Sequence, residues 1–158
     1  ASELNKKIGE IESKSLTLTN TLDLDQPPSI RIYINSGGGS VTAGISSMDT
    51  ILRAKVPIHT YVDGFAASAA TFMLMGGIER RMQKNSYVLM HQISTEFWGK
   101  FMDLKDETEN CQKLMSKIKQ IYKENCALTK KEINTLLKKE LYLSAEECLQ
   151  KGIIDIII

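Results

Sequence analysis

The sequence predicts an α/β fold built around a parallel sheet. Short β-branched segments over residues 30–34, 57–62 and 86–90 are predicted strands. Between them lie helical patterns: apolar residues recur every three or four positions over 41–52, and small apolar residues fill 69–75. Strands that alternate with helices form parallel β-α-β units with right-handed crossovers. The carboxyl ends of such strands meet at one edge of the sheet, where ligands bind.

Further helices are predicted before and after these strands in the sequence. A capping box, in which a Ser or Thr and a Glu three positions later satisfy the free amides of a helix start, opens each of the last two helices. In chain order the additional elements are a modest amphipathic helix over 3–18, a loop to residue 28, a long helix from about Asp103 to Asn125, a helix from Thr129 to about Lys139, a helix that opens at Ser144 and is closed by Gly152, and a buried or paired strand over 153–158.

Composition limits the classes of protein to consider. With 158 residues, 42% of them hydrophobic, the chain is sized for one compact domain over residues 1–158. Twenty basic and nineteen acidic side chains give a net charge of +1, which offers no global attraction to nucleic acid or to an anionic membrane. No apolar run approaches the ~20 residues that span a bilayer, so a soluble, cytoplasmic protein is expected. The three cysteines show no CxxC pattern, so free thiols and no metal site are expected.

Ser68 is the candidate nucleophile. It lies among small residues, between the strand 57–62 and the apolar run that begins at Ala69, so its N–H and those that follow are at the start of a helix. The free amide donors of a helix start can stabilise an oxyanion, and neighbouring alanines leave room for a substrate backbone. The alternative is that Ser68 only caps the helix, which is the commonest role of serine at such a position.

A serine nucleophile needs a base that takes its proton and a carboxylate that orients the base. His91 directly follows a predicted strand, whereas His59, the other histidine, lies inside one, so His91 is the predicted base. Taken alone, His91 would be interpreted as a strand-end histidine with a local hydrogen bond. The residue pattern leaves the carboxylate open among Asp63, Glu132, Glu140 and Asp155.

The glycine run Gly37–Gly39 follows the predicted strand 30–34. Such a run is usually only a tight turn, but glycine also allows a loop to point an N–H at a substrate carbonyl. The Lys-Ser/Thr signature of a Walker phosphate loop is absent. Because the glycine run, Ser68 and His91 all follow strands of one parallel sheet, they are predicted to converge at one edge of it.

Together these segments resemble the proteolytic subunit of the ATP-dependent caseinolytic protease family, ClpP, from about Ile30 to Asp155. The motifs that carry the resemblance are the Tyr-Ile-Asn-Ser-Gly-Gly-Gly segment within Tyr33–Gly44, the serine segment Gly64–Ala70, the histidine segment Leu89–Gln92, and the C-terminal segments Tyr142–Glu146 and Gly152–Asp155. The resemblance implies a ClpP/crotonase-like fold, that is, a β-α-β superhelix with a parallel sheet and a protruding long helix, the handle. Residues 1–28 would then be an N-terminal helix and loop, and 93–125 the strand and helix of the handle.

Position by position, the resemblance also assigns a site. The residues are Gly38 and Ala69 as backbone donors of an oxyanion hole, Gly39, Ser40, Ile93 and Ser94 as substrate-binding positions, Ser68 as nucleophile, His91 as general base, and Glu140 as the carboxylate of the triad, where the family has aspartate. The implied activity is that of a serine endopeptidase that cleaves unfolded proteins and short peptides through an acyl-enzyme, without a cofactor.

The resemblance implies polypeptide substrates and an assembly of two stacked seven-membered rings, and it allows an AAA+ unfoldase (a Clp ATPase) as a docking partner. A bacterial cytosol, a plastid or a phage-encoded setting would suit it. The chain departs from the family at Glu140, at Gly37 in place of proline, and over Ile93–Trp98 in place of a glycine-rich strand. Two alternatives therefore stay open: a catalytically inactive ClpP-like structural subunit, and a crotonase-type acyl-CoA hydratase or isomerase.

Overall fold

The computed structural model describes every residue from Ala1 to Ile158. Helices and strands alternate along most of the chain, as the sequence predicts. In order they are α1 (Ser2–Thr21), β1 (Ile30–Ser36), α2 (Val41–Arg53), β2 (Ile58–Ala67), α3 (Ala70–Gly76), β3 (Glu79–Met82), β4 (Tyr87–Leu89), α4 (Phe101–Asn125), α5 (Lys130–Leu137), β5 (Tyr142–Leu143), α6 (Ala145–Gln150) and β6 (Ile156–Ile157).

The strand β2 organises the sheet. Its first half pairs in parallel with β1 on one side and β3 on the other, and its second half, Phe65–Ala67, pairs in parallel with β4. β6 extends the sheet in parallel from β3, and the short β5 pairs antiparallel with β4. The carboxyl ends of β1, β2 and β4 therefore point the same way, which is the geometry that the β-α-β pattern predicts.

One face of the sheet is covered and forms the larger part of the core. Val62 and Met82 of the sheet pack in one buried cluster with Phe72 of α3 and Tyr122 at the inner end of α4. Burial of a side chain as large as Phe72 contributes roughly 1.5–3 kcal/mol to folding, so this cluster fixes α3 and the base of α4 against the sheet. A smaller cluster, Ile8, Ile30, Ile51, Val56 and Ile58, attaches α1 to the other end.

Helix boundaries follow the predicted signals closely. Thr129 and Ser144 both form the capping boxes that the sequence predicts, with Glu132 and Glu147 as their partners. Gly77 ends α3, and α1 runs a few residues past the predicted end at position 18, to Thr21. In that extension each threonine hydroxyl donates to a carbonyl one turn earlier, including Thr21 to Thr17, so the β-branched residues are accommodated.

The structure differs from the sequence prediction at four strands. Two short strands, β3 and β5, were not predicted, because charged residues occupy much of β3 and only two residues form β5. The strand expected over 93–98 does not form: residues 90–100 have no regular structure, and α4 begins at Phe101. At the end of the chain Ile153 and Ile154 are buried outside any strand, and only Ile156–Ile157 pair with β3.

Candidate active site

The glycine loop between β1 and α2 lies directly against the segment that contains Ser68. Gly38 has a φ of 97°, in the region that favours glycine. A methyl group at position 38 would lie 2.6 Å from the carbonyl oxygen of Ala67 and 2.8 Å from the Cβ of Ser68. Only a residue without a side chain therefore allows this approach of the two backbones.

Ser68 follows β2 and has a φ of 54°, one of two non-glycine residues in the left-handed region. A non-glycine residue in that region costs on the order of 1–3 kcal/mol and is held there by its surroundings. Its N–H donates to the Leu89 carbonyl at 2.8 Å, which continues the ladder between β2 and β4. The N-cap of α3 is Ala69, and the Ser68 hydroxyl makes no hydrogen bond within the protein, so the capping role is not realised.

The carbonyl of Ser68 is also held. It accepts the N–H of Thr71 at 3.0 Å and the hydroxyl of the same residue at 2.6 Å. The Thr71 Oγ1 lies 2.7 Å from the hydroxyl of Tyr122, which belongs to α4. The sequence does not predict this contact of Thr71 and Tyr122 beside Ser68, because Tyr122 is only one of several regularly spaced apolar residues in the predicted helix 103–125.

The backbone amides near Ser68 differ in their availability. The N–H of Gly38 donates to the Ser36 Oγ at 3.2 Å, whereas the N–H groups of Gly39 and Ala69 make no hydrogen bond. A cavity of about 250 Å³ is lined by Ser36, Gly38 and Ala69 together with residues of α1, α2 and α3, but not by Ser68 or His91. Of the two unbonded amides, only that of Ala69 belongs to a residue that lines this cavity.

His91 lies just after β4, two positions beyond the carbonyl that binds Ser68. Its Nδ1 is 3.7 Å from Oε1 of Glu140, and the His91 side chain is 20% exposed while that of Glu140 is 79% exposed. This separation is within ion-pair range but longer than a hydrogen bond. His91 and Ser68 are not hydrogen-bonded to each other in this structure; such contacts are often loose until substrate binds.

Of the four candidate carboxylates, only Glu140 has an oxygen within 4.0 Å of a ring nitrogen of His91. Hydrogen bonds from Thr129 in its capping box lower the pKa of Glu132, and Asp155 binds Arg80. Asp63 is exposed within β2. The proximity of Glu140 has a simple cause: β5 begins two residues later and pairs with β4, which brings the chain back beside His91.

The predicted substrate-binding residues lie in the glycine loop, at the start of α2 and in the irregular segment after His91. The Ser40 hydroxyl accepts a hydrogen bond from the N–H of Ala43 at 3.3 Å and so caps α2. The same hydroxyl also lies 3.0 Å from the Thr42 hydroxyl. Ile93 and Ser94 lie in the irregular segment after His91, where the N–H of Ile93 contacts the Met115 sulfur at 3.4 Å. Gly39, in the glycine loop, has a φ of 131°.

The three cysteines are poorer candidates for a nucleophile than Ser68. All three thiols are unpaired, and burial raises the pKa of Cys126 to about 11 and that of Cys148 to about 12. Desolvation also raises the pKa of Cys111. Because the thiolate is the reactive form, these residues are poor nucleophiles near neutral pH. No cluster of His, Cys, Asp and Glu side chains is arranged to hold a metal ion, and no helix is long and apolar enough to cross a membrane.

These features define a β-α-β protein whose candidate site lies at the carboxyl ends of parallel strands. The chain belongs to the Clp protease family, whose model matches residues 2–158. Its structure is similar to that of a mutant of ClpP1 from Listeria monocytogenes, with a TM-score of 0.83, 23% sequence identity, and coverage of 99% of this chain and 82% of that one. The predicted family and the predicted fold, including the long helix α4, are thus confirmed. Family membership implies a peptidase, which is a hydrolase.

Proposed function

We propose that the protein is a ClpP-like serine endopeptidase that cleaves unfolded proteins and short peptides through an acyl-enzyme. The observation that carries this proposal is Ser68, a strained residue with an unbonded hydroxyl at the end of β2, in contact with the glycine loop. Strained residues of this kind concentrate at functional sites. Family membership supports a peptidase.

In the proposed reaction Ser68 Oγ attacks the carbonyl carbon of the scissile peptide bond. His91 takes the serine proton, and the carbonyl oxygen becomes an oxyanion that the N–H groups of Gly38 and Ala69 stabilise. Collapse of the tetrahedral intermediate transfers the proton from His91 to the leaving amine and leaves an ester on Ser68. Water then attacks the ester while His91 takes a proton from it. Collapse of the second tetrahedral intermediate returns that proton to Ser68 Oγ and releases the peptide acid.

Two groups must adjust for this reaction. The Gly38 N–H must exchange its bond to the Ser36 hydroxyl for a bond to the oxyanion. Glu140 must close the gap of 3.7 Å to His91 Nδ1, which rotation of an exposed side chain can achieve. Glutamate is an established third member of serine-histidine triads, so its replacement of aspartate is compatible with the chemistry.

Substrate binding and assembly complete the proposed function. Gly39, Ser40, Ile93 and Ser94 border the path of the substrate backbone, and the reaction needs only protein groups and water. The chain forms two stacked seven-membered rings that enclose the sites. An AAA+ unfoldase is the partner that would supply unfolded chains, and a cytoplasmic compartment is the expected setting.

Fluorophosphonate labelling read by intact mass tests the proposed chemistry. We expect wild-type protein to gain one label, and Ser68→Ala and His91→Ala to gain none. Glu140→Gln is expected to label more slowly, on the order of tenfold or more, because the loss of a triad carboxylate leaves the histidine poorly oriented. His59→Ala is the matched control. The His59 Nδ1 lies 3.3 Å from Oε1 of Glu79, and this pair is not part of the proposed site, so the variant should label like wild type.

The alternatives predict other outcomes. An inactive structural subunit leaves wild-type protein unlabelled and unable to cleave fluorogenic peptides. A crotonase-type enzyme binds acyl-CoA and retains that binding in Ser68→Ala. Cleavage of peptides that is lost in Ser68→Ala, together with no detectable binding of acyl-CoA, would reject both.

A further inference from the structure

We propose that Thr71 and Tyr122 are positioning residues that hold Ser68 in its left-handed, reactive conformation through a buried chain of hydrogen bonds. The inference rests on the proposed function of Ser68 and adds two residues to it. It concerns geometry at the nucleophile and assigns neither residue a contact with substrate.

The direction of the hydrogen bonds follows from the groups involved. The Ser68 carbonyl can only accept, so the single hydroxyl proton of Thr71 goes to it, at 2.6 Å. The Thr71 oxygen then acts as acceptor toward Tyr122, at 2.7 Å, and the Tyr122 O–H must be the donor. The chain of donors thus runs from α4 through α3 to the backbone of the nucleophile.

This chain restrains a residue that would otherwise relax. The N–H of Ser68 is bound to Leu89 and its carbonyl is bound twice to Thr71. A change of φ from the left-handed to an ordinary region would rotate these groups away from their partners. The hydroxyl of Thr71 therefore adds to the free energy that keeps Ser68 strained, because its bond exists only in this conformation.

Tyr122 makes the arrangement rigid. Thr71 is 0% exposed and Tyr122 is 1% exposed, so neither hydroxyl can exchange its partner for water. The Tyr122 ring packs against Phe72, with ring centroids 5.8 Å apart. Burial raises the pKa of Tyr122 well above its usual value, so the phenol keeps its proton and remains a donor over the whole range in which the enzyme would work.

The test measures the second-order rate of fluorophosphonate labelling. In this reaction an O–P bond forms at Ser68, the P–F bond breaks, fluoride leaves, and His91 takes the serine proton. Thr71→Val keeps the shape of the residue and removes its hydroxyl, and we expect it to slow labelling roughly threefold to tenfold, the value of one hydrogen bond. Tyr122→Phe, which acts only through Thr71, should slow it by a smaller factor, on the order of twofold.

Two further variants separate positioning from general stability. Thr71→Ser keeps a hydroxyl at this position and should keep most of the wild-type labelling rate. Thr60→Val is the matched control: Thr60 is fully buried and its hydroxyl donates to the Leu74 carbonyl at 2.9 Å, so the substitution removes a bond of the same kind elsewhere. We expect Thr60→Val to lower the melting temperature as Thr71→Val does, but to label at the wild-type rate.

The double variant Thr71→Val with Tyr122→Phe gives the sharpest outcome. It should label at the rate of Thr71→Val alone, because Tyr122 has no effect once Thr71 lacks its hydroxyl, and peptide cleavage should show a lower kcat with little change in KM. Equal rates in wild type, Thr71→Val and Tyr122→Phe would overturn the inference and leave the proposed function standing. Absence of label in wild type would overturn the proposed function and the inference with it.

Discussion

Gly38 shows how strongly one position can be constrained by its neighbours. Its backbone is left-handed, and an added Cβ would lie 2.6 Å from the Ala67 carbonyl oxygen. That atom is backbone and has no freedom to move aside. Gly38→Ala must therefore separate the glycine loop from the segment that carries Ser68.

We expect Gly38→Ala to slow fluorophosphonate labelling about 100-fold or more, as the loss of an oxyanion donor does in other hydrolases. The unfolding free energy should fall by only about 1–3 kcal/mol, the cost of one strained residue. Gly37→Ala is the matched control, because a methyl group at position 37 meets nothing within 4 Å. Labelling of Gly38→Ala at the Gly37→Ala rate would contradict a role for this loop at the site.

At the scale of residues, sequence reasoning located Ser68, His91 and the glycine run at strand ends, because small residues and breaks in periodicity are visible in the chain. The left-handed conformation of Ser68 was not predictable, since serine ordinarily avoids it. The contact of Thr71 with Tyr122 joins residues 51 positions apart. Such a contact depends on how α3 and α4 pack, which no local pattern specifies.

Among the elements, β3 is the clearest case of tertiary structure overriding a sequence pattern. Its charged residues favour solvent, yet Arg80 binds both carboxylate oxygens of Asp155, with its Nη2 2.8 Å from Oδ1 and its Nε 3.2 Å from Oδ2. The backbone N–H of Arg80 also donates to Oδ2 at 2.8 Å. This pair links β3 to the residue that precedes β6, and the two residues are far apart in the sequence.

The Arg80–Asp155 pair makes stability depend on pH. Burial disfavours ionisation of Asp155, but hydrogen bonds and charge from Arg80 outweigh it and lower the pKa of this carboxyl below its usual range. The contribution to stability is therefore complete above the ordinary aspartate pKa of about 3.9 and is lost as the pH falls through the lower, folded-state pKa.

We expect Asp155→Asn to lower the unfolding free energy by about 1 kcal/mol at neutral pH, a value reduced by the partial exposure of the pair. The difference from wild type should shrink below about pH 4, where the unfolded carboxyl is already protonated. Urea unfolding of both proteins at several pH values measures it. Asp25→Asn, an exposed carboxylate without a hydrogen bond or ion pair in this fold, should show no such difference, and a constant gap down to low pH would contradict this role of Asp155.

For the molecule as a whole, α4 divides into a covered and an uncovered half. Ile118 and Tyr122 are buried at its inner end, whereas Trp98, just before the helix, is 98% exposed and Phe101 is 70% exposed. The spacing of its apolar residues predicts one apolar stripe, and a helix this long needs a partner to cover the stripe. The residues of the stripe are Leu104, Cys111, Met115, Ile118 and Tyr122. Which part of the stripe the chain itself covers depends on the packing of α3, α5 and the sheet.

We expect native mass spectrometry to show the two stacked seven-membered rings of the proposed assembly. Phe101→Glu with Leu104→Glu should reduce the assembly to smaller species, since charges would replace exposed apolar residues that the second ring covers in the proposed assembly. Lys113→Glu, on an exposed position of the same helix, is the control and should leave the mass unchanged. A monomer in the wild type at micromolar concentration would contradict the assembly.

The strain at Ser68 also bears on how natural selection acts on this chain. Glycine adopts the left-handed region without the penalty that serine incurs there, so selection for folding alone would favour glycine at position 68. A copy of the gene released from selection for a hydroxyl would gain stability by that single replacement. Under the proposed function, the chemistry of the hydroxyl is the reason for serine at this position, against the backbone preference of the fold.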